Sequence, residues 1–269
     1  MLNTLKKVLN QFISDFYKID IFRFLIVYIR FLFLFYIFNK KKLLYNEKDD
    51  VENIITFKEK KKDNFSKERV KIQETTLEHN LIYTKNIFNL KKKYNQFLGK
   101  KTKSLISQLE SLDFINKESA KILSIGPRNE GELYLIRSYG YRWSNIFAID
   151  LQTYTSKIEL NDMHNINYED NFFDIIISGW TLAYSKNKKK ALNEIKRVAK
   201  KNAIISIGYT YLPENLKYEV KETDEILTSN DKILSFFEAK SENIFFNFDS
   251  YLFNINQTRH SILTFRLSK

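Results

Sequence analysis

The chain has no cysteine, which excludes disulfides, thiolate nucleophiles and cysteine-based zinc sites. Its three histidines, His79, His164 and His260, are widely scattered and show no metal-ligand spacing, so we expect no metal site. Proline and glycine are also scarce, with two and six residues, whereas Lys, Asn, Ile, Phe and Tyr are abundant. We interpret this pattern as a compositional bias of the whole chain.

Charge is unbalanced, with 44 Lys and Arg against 32 Asp and Glu and a formal net charge of +12. Such an excess raises the question of a nucleic-acid or anionic-membrane partner. No basic stretch carries the interleaved aromatic residues of a base-stacking platform, so we expect no nucleic-acid binding. The length of 269 residues suffices for one α/β domain with an appendage.

Residues 21–38 form an apolar run interrupted only by Arg23 and Arg30. As a helix it would be about 27 Å long, and arginines seven residues apart would share one face. We favour a peripheral helix with its apolar face toward the membrane and its arginines toward the headgroups. Two alternatives stay open: a spanning helix, and a helix docked on the domain or on a partner.

The sequence divides into three parts with different patterns. Residues 1–45 hold the hydrophobic helix, a possible membrane anchor. Residues 46–117 are a charged linker followed by helices, which helical spacing predicts over 78–95 and 102–112. From residue 118 to 269, short apolar runs alternate with amphipathic segments, as in a mostly parallel sheet covered by helices.

The predicted fold class is α/β, a Rossmann-like doubly wound mostly parallel sheet with a helical N-terminal extension. The intervening helices are expected at 130–139, 188–199 and 222–237. The predicted strands are 121–125, 145–150, 173–178, 202–209, 243–248 and 261–267.

A glycine-bearing turn follows the first predicted strand, in the stretch from Gly126 to Gly131. Ligands of doubly wound folds bind beside such a turn, where backbone N–H groups at a helix start face the carboxyl edge of the sheet. The next strand ends in Asp150, which lies 24 residues after Gly126. A carboxylate at that place can accept hydrogen bonds from the ribose hydroxyls of an adenosine-containing ligand.

At this point the sequence resembles the class I S-adenosylmethionine-dependent methyltransferases, in particular the small-molecule, methyltransferase type 11-like group. The resemblance extends from residue 121 to about 211 and rests on the turn, on Asp150, on the D-M-H segment from Asp162 and on the segment FDIIISGW at 173–180. It implies S-adenosylmethionine as the cofactor and a small-molecule or lipid-linked substrate.

The resemblance also implies roles for individual residues. The methionine part of the cofactor would lie against the stretch from Gly126 to Gly131, the ribose on Asp150, and the adenine between Leu151 and the Asp162–Met163 pair. The end of the fourth strand would lie beside the transferring methyl group. The implied cofactor-binding residues are Gly126, Arg128, Glu130, Gly131, Asp150, Leu151, Asp162, Met163, Ser178, Gly179 and Trp180.

The sequence departs from the family pattern in two places. Ser124 replaces the usual acid before the turn, and Pro127 and Arg128 replace small residues, so we expect Arg128 to pair with the cofactor's carboxylate. Only eleven residues separate Asp150 from Asp162, too few for a helix and a full third strand. We predict a loop with a short strand within 157–160.

Methyl transfer depends mainly on positioning, so a catalytic base is optional. His164 is the candidate base because its ordinary pKa suits proton removal at neutral pH. Tyr184 and Tyr209 are candidate substrate contacts. The predicted function is therefore methylation of an unidentified substrate in the cytoplasm or at the inner face of the membrane. The alternative is a non-catalytic binding or assembly module that keeps the fold. The sequence leaves the oligomeric state open.

Overall fold

The computed structural model describes residues 2–38, 42–43, 94, 97–185, 187–211, 229–249 and 259–268. The predicted helix over 78–95 lies outside the described residues except for Tyr94, and so does the charged stretch from 46 onward. The first part of the predicted helix over 222–237 is likewise outside them. The proposed boundaries between the three parts of the chain stay predictions.

A seven-stranded sheet forms the centre of the fold, and its strands are β2 (Ile122–Ile125), β3 (Ile146–Asp150), β5 (Glu159–Leu160), β6 (Phe173–Gly179), β7 (Ala199–Tyr211), β8 (Ile244–Asp249) and β9 (Arg259–Arg266). Their order in the sheet is β5-β3-β2-β6-β7-β9-β8. The neighbours from β5 to β7 pair in parallel, whereas β9 runs antiparallel to both β7 and β8.

Helices cover both faces of this sheet, and for this reason the central strands are apolar on both sides. All four residues of β2 are buried. One face packs against α3 (Lys100–Glu110) and α4 (Glu130–Ser138), and the other against α5 (Lys188–Val198) and α6 (Asn230–Phe236). The prediction of a Rossmann-like, mostly parallel sheet with an N-terminal helical extension is therefore confirmed.

The connection between β3 and β5 contains no helix, as the short spacing predicted. It holds β4 (Gln152–Thr153), which pairs antiparallel with β1 (Lys42–Leu43) from the N-terminal extension. Tyr154 of this connection packs its ring on Phe31, with 4.9 Å between the ring centroids. The N-terminal extension thus covers a side of the domain from which a crossover helix is missing.

The extension consists of α1 (Leu2–Lys18), α2 (Asp20–Phe31) and a π-helical turn (Leu32–Ile37). Both helices pack against α4. The structure therefore favours the alternative in which the hydrophobic run is docked on the domain. Its buried aromatic and aliphatic cluster comprises Phe24, Val27, Phe31, Phe35, Phe97, Leu98, Tyr134 and Tyr154.

The predicted direction of the two arginines is wrong, because both turn toward the protein. Arg23 is 2% exposed and donates to the carbonyl of Tyr17 and to the Asp20 carboxylate, each at 2.6 Å. Arg30 pairs with Glu130. Among the described helices, none combines the length and apolar character needed to cross a membrane.

Candidate functional site

The turn after β2 brings the backbone of three segments together. Gly126 has a φ of +71°, which L side chains rarely adopt, and its N–H donates to the carbonyl of Ile149 at 2.8 Å. Thr181 lies directly against its Cα, where a Cβ would come within 2.3 Å of the threonine Oγ1. That hydroxyl donates to the carbonyl of Ile125 at 2.9 Å. Glycine is therefore required here for close packing as well as for φ.

Asp150 ends β3 and turns its carboxylate toward this turn. The Arg128 backbone N–H donates to its Oδ2 at 3.0 Å, and the Gln152 N–H donates to its Oδ1 at 3.3 Å. Burial raises the pKa of the Asp150 carboxyl, and these backbone donors partly offset that effect. A carboxylate has about four acceptor positions, so both oxygens retain capacity for a ligand.

The first turn of α4 is satisfied by the chain itself. Asn129 caps the helix by accepting from the Gly131 N–H at 2.7 Å, and the Glu130 N–H donates to the Tyr154 hydroxyl at 3.1 Å. Gly131 allows a close approach, because a Cβ there would lie 1.9 Å from the Phe97 carbonyl oxygen. These amides are therefore engaged within the protein and do not form the open anion cradle that the sequence suggested.

Glu130 was predicted to bind the cofactor, but in the structure its side chain has a structural role. Its side chain is fully buried and accepts two hydrogen bonds from Arg30, at 2.7 and 3.0 Å. The Thr155 hydroxyl donates a third at 2.7 Å. Because this carboxylate joins α2 to the start of α4, we no longer assign Glu130 to cofactor binding.

The end of β6 carries unusual backbone and unpaired polar atoms. Trp180 has a φ of +63°, and its N–H donates to the Gly208 carbonyl at 2.8 Å. Its ring lies on Gly208, where a Cβ would be 2.9 Å from ring carbons. Within the described residues, the buried Ser178 Oγ and Trp180 Nε1 have no hydrogen-bond partner. Gly179, between them, faces Thr102 of α3.

Two non-glycine residues, Arg128 and Trp180, therefore hold left-handed conformations at the carboxyl edge of neighbouring strands. Such conformations cost about 1–3 kcal/mol each and are concentrated at functional sites. Unpaired buried polar atoms are likewise rare in folded proteins. Both features mark this edge as the candidate site.

Asp162, His164 and Ser185 form a chain of hydrogen bonds beside the same edge. The Asp162 Oδ1 lies 2.6 Å from the His164 Nδ1, and the His164 Nε2 lies 2.6 Å from the Ser185 Oγ. An ionised carboxylate can only accept, so the Nδ1 donates to Asp162, and in the neutral ring the Nε2 then accepts from the serine hydroxyl. Both ring nitrogens are therefore engaged locally. Met163, between the acid and the histidine, is buried in the core beside Ile149.

The remaining predicted residues divide between the edge and the core. Leu151 follows Asp150 and is half-buried at the edge. Tyr209 is 5% exposed and packs in the core cluster on the α5 and α6 face, so the structure does not present it as a substrate contact. Tyr184 lies in a 3₁₀ turn, Leu182–Tyr184.

An open depression with a volume of about 520 Å³ lies elsewhere, near the start of β6, where Phe172 and Arg197 contribute to its walls. The Arg197 guanidinium is bound by carboxylates and carbonyls of the chain, including Asp170 and Glu194. This depression therefore presents a structural arginine and not the candidate site.

Sequence reasoning missed three parts of this arrangement. Asn129 before a helix start is a recognisable N-cap signal that could have been used. Thr181 and the Arg30–Glu130 pair carry no local signal, because their partners lie 55 and 100 residues away in the chain.

Residues 150–247 match the family described as a methyltransferase domain. The family match begins at Asp150 and leaves out the glycine turn, where the sequence departs from the family pattern. No curated protein matches the chain in sequence.

Solved structures similar to this chain share little sequence with it. A putative sarcosine dimethylglycine methyltransferase from Galdieria sulphuraria is 15% identical, with a TM-score of 0.44 and coverage of 62% of this chain and 85% of the other. The N-methyltransferase NodS from Bradyrhizobium japonicum, bound to S-adenosyl-L-homocysteine, is 10% identical, with a TM-score of 0.44 and coverages of 63% and 87%. The [4+2]-cyclase SpnF is 14% identical, with a TM-score of 0.44 and coverages of 62% and 80%.

Proposed function

We propose that the chain binds S-adenosylmethionine at the carboxyl edge of its sheet and methylates a small-molecule or lipid-linked substrate. The observation that carries this proposal is the hydrogen bond between the Arg128 N–H and the Asp150 carboxylate. It brings the glycine turn and the acid that ends the second parallel strand to one place, as an adenosine ligand requires.

The residues at this edge fit the parts of such a cofactor. Asp150 would accept from the ribose hydroxyls, and Arg128 supplies a guanidinium suited to the methionine carboxylate. The unpaired Ser178 Oγ and Trp180 Nε1 offer a hydroxyl and a donor next to the turn. The residues assigned to the adenine are Leu151, Asp162 and Met163.

The cofactor supplies an electrophilic methyl group when it is bound. The chain contributes positioning, which in well-aligned reactions is worth about 7–11 kcal/mol. An aromatic ring near the sulfonium is favourable, and Trp180 is the candidate for that contact. His164 can accept a substrate proton at Nε2 only if the substrate displaces the Ser185 hydroxyl. We therefore treat positioning as the main catalytic contribution and His164 as the candidate base.

Calorimetry of the full chain with S-adenosylmethionine tests the proposal. We expect binding with a dissociation constant in the roughly micromolar range. Asp150→Ala should weaken it at least about tenfold, since hydrogen bonds to a charged group are worth about 1.5–3 kcal/mol. Asp113→Ala, at an exposed carboxylate before β2, is the matched control and should leave the affinity unchanged. Absence of binding at millimolar cofactor would contradict the proposal.

A second candidate is a non-catalytic binding or assembly module, and the start of α4 favours it. Two amides there, those of Glu130 and Gly131, already donate within the chain, and Glu130 fills the first turn with a paired carboxylate. Cofactor binding without turnover separates this candidate from the enzyme. The assay is conversion of S-adenosylmethionine to S-adenosylhomocysteine by the full chain with a total lipid extract, and separately with a metabolite extract.

A further inference from the structure

The outer surface of the N-terminal extension is apolar. Among the described residues, fourteen large hydrophobic side chains are exposed, and twelve of them lie between Val8 and Phe38. We call this set the N-terminal apolar face. It comprises Val8, Leu9, Phe12, Phe16, Ile19, Ile21, Phe22, Leu25, Ile29, Phe33, Ile37 and Phe38.

The face is continuous across both helices. Along α2 and the following π-helical turn, five of its residues from Ile21 to Ile37 recur every four positions, which places them along one side of a helix. The rings of Phe16 and Phe22 stack with 4.8 Å between centroids and join this row to α1. Together the twelve residues expose on the order of 1,000 Å², since a large aromatic side chain has about 150–250 Å² of surface. The largest apolar patch of a typical monomer is about 300–600 Å².

The polar groups of α2 lie on the opposite side. Arg23 is buried against Asp20 and the Tyr17 carbonyl, and Arg30 reaches Glu130 of α4. A helix on the water-facing surface of a protein normally turns its charged residues toward water and its apolar residues toward the core. Here the arginines are paired with groups of the protein, whereas the N-terminal apolar face is exposed. This face therefore suits contact with an apolar environment and not with water.

Charge decides between the occupants of this face. Residues 1–45 contain eight Lys or Arg and two Asp; with Arg23 and Arg30 set aside as paired to Asp20 and Glu130, six Lys and one Asp remain, a net charge of +5. A second copy docked through the same patch would bring two equally positive segments together. An anionic lipid surface offers acyl chains to the ridge and negative headgroups to the lysines.

We infer that the N-terminal apolar face docks on an anionic lipid surface, with α1 and α2 lying along it. This inference does not depend on the proposed function. It also differs from the arrangement expected from the sequence, because α1 takes part, Arg23 is paired within the extension and Arg30 joins α2 to α4, so that neither arginine faces the headgroups.

Vesicle co-sedimentation of the full chain tests the inference. Leu25→Glu with Ile29→Glu puts two charges on the face, at residues 43% and 61% exposed. Phe114→Glu with Phe248→Glu is the matched control, because it changes the net charge equally at residues 51% and 43% exposed outside the extension. We expect the unmodified chain to bind phosphatidylcholine vesicles containing 30% phosphatidylglycerol at least about tenfold more tightly than phosphatidylcholine alone. The face variant should lose at least tenfold, and the control less than twofold.

A labelling experiment covers the case in which the double variant does not fold. The chain has no cysteine, so Ile29→Cys and Phe248→Cys each provide a unique thiol for a polarity-sensitive dye. Anionic vesicles should shift the emission at position 29 to the blue and leave position 248 unchanged. The inference is overturned by equal emission shifts at both positions or by the absence of vesicle binding. It is also overturned if light scattering shows a dimer that becomes monomeric in the face variant.

Discussion

Replacing Arg30 by methionine should destabilise the fold markedly, because it removes the charged partner of a fully buried carboxylate. The Arg30 guanidinium makes two hydrogen bonds to Glu130, at 2.7 and 3.0 Å, and no other charged group is paired with that side chain among the described residues. In the variant the Glu130 carboxylate would keep only the hydrogen bond from Thr155. The change therefore leaves a buried charge without compensation.

The size of the destabilisation depends on how deeply the two partners of the ion pair, Arg30 and Glu130, are buried. Breaking a buried ion pair by removing one partner costs about 3–5 kcal/mol. The Arg30 side chain is 43% exposed, so water screens part of the interaction and we expect about 2–3 kcal/mol. For a chain of this size each kcal/mol shifts the melting temperature by about 2–4 °C, which predicts a decrease of about 5–10 °C.

Thermal unfolding followed by circular dichroism measures this shift. Lys196→Met is the control, because it breaks an ion pair whose Glu238 partner is 78% exposed, and it should lower the melting temperature by about 1 °C or less. Adding Glu130→Gln to Arg30→Met should recover part of the loss, since the uncompensated charge is then gone. A decrease for Arg30→Met that is no larger than the control's would refute the reasoning.

The other predictions concern the turn and its acid. Gly131→Ala should lower the free energy of unfolding in urea by about 3 kcal/mol or more, because the Phe97 carbonyl fills the space that the added methyl group needs. Gly140→Ala is the control: its methyl group meets only a lysine methylene at 3.6 Å, so it should cost about 1–2 kcal/mol, for the φ of +95°. Arg128→Gly should raise the free energy of unfolding by about 1 kcal/mol, because glycine adopts the left-handed backbone conformation without strain. In calorimetry the same variant should bind S-adenosylmethionine more than twofold more weakly. Unchanged affinity would exclude the guanidinium contact. Asp150→Asn should stabilise the chain by about 0.5–1 kcal/mol at pH 7. Burial raises the pKa of Asp150, so the native state holds its proton more tightly than the unfolded state and stability falls as pH rises from the ordinary aspartate value through the raised one. The gain in Asp150→Asn should therefore shrink as pH is lowered toward about 4, and a gain independent of pH would contradict this account.

Stability gained at Asp150 and Arg128 together with binding lost would indicate that this edge is shaped for a ligand. Residues that serve a ligand are often not those that would stabilise the fold best. A non-catalytic module without a cofactor would show no S-adenosylmethionine binding for these two substitutions to weaken.

The predicted strands agree with the structure to within a few residues at most ends. The clearest case is β6, predicted at 173–178 and observed as Phe173–Gly179. The prediction succeeds because a parallel strand covered on both faces is an uninterrupted apolar run bounded by polar residues. The short β5 was also predictable, because eleven residues cannot hold both a helix and a full strand.

The location of the candidate site could be predicted from the sequence, but the contacts of its residues could not. Asp150 meets the glycine turn as expected, since both follow neighbouring parallel strands. The engagement of Glu130 by α2 and of His164 by Ser185 was not predictable. These contacts join segments that are 21 to 100 residues apart, and periodicity within a window carries no information about such pairs.

The sequence by itself determined the α/β class, the strand positions and the point at which two chain segments approach one another. These properties follow from local hydrophobic periodicity and from the short connections between adjacent strands. Only the tertiary structure decided which way the N-terminal helix faces. Helical spacing shows that Arg23 and Arg30 share a side of α2, but the Glu130 carboxylate of α4 that binds Arg30 and turns this side inward comes from a distant part of the chain. The apolar side is left outward for the same reason.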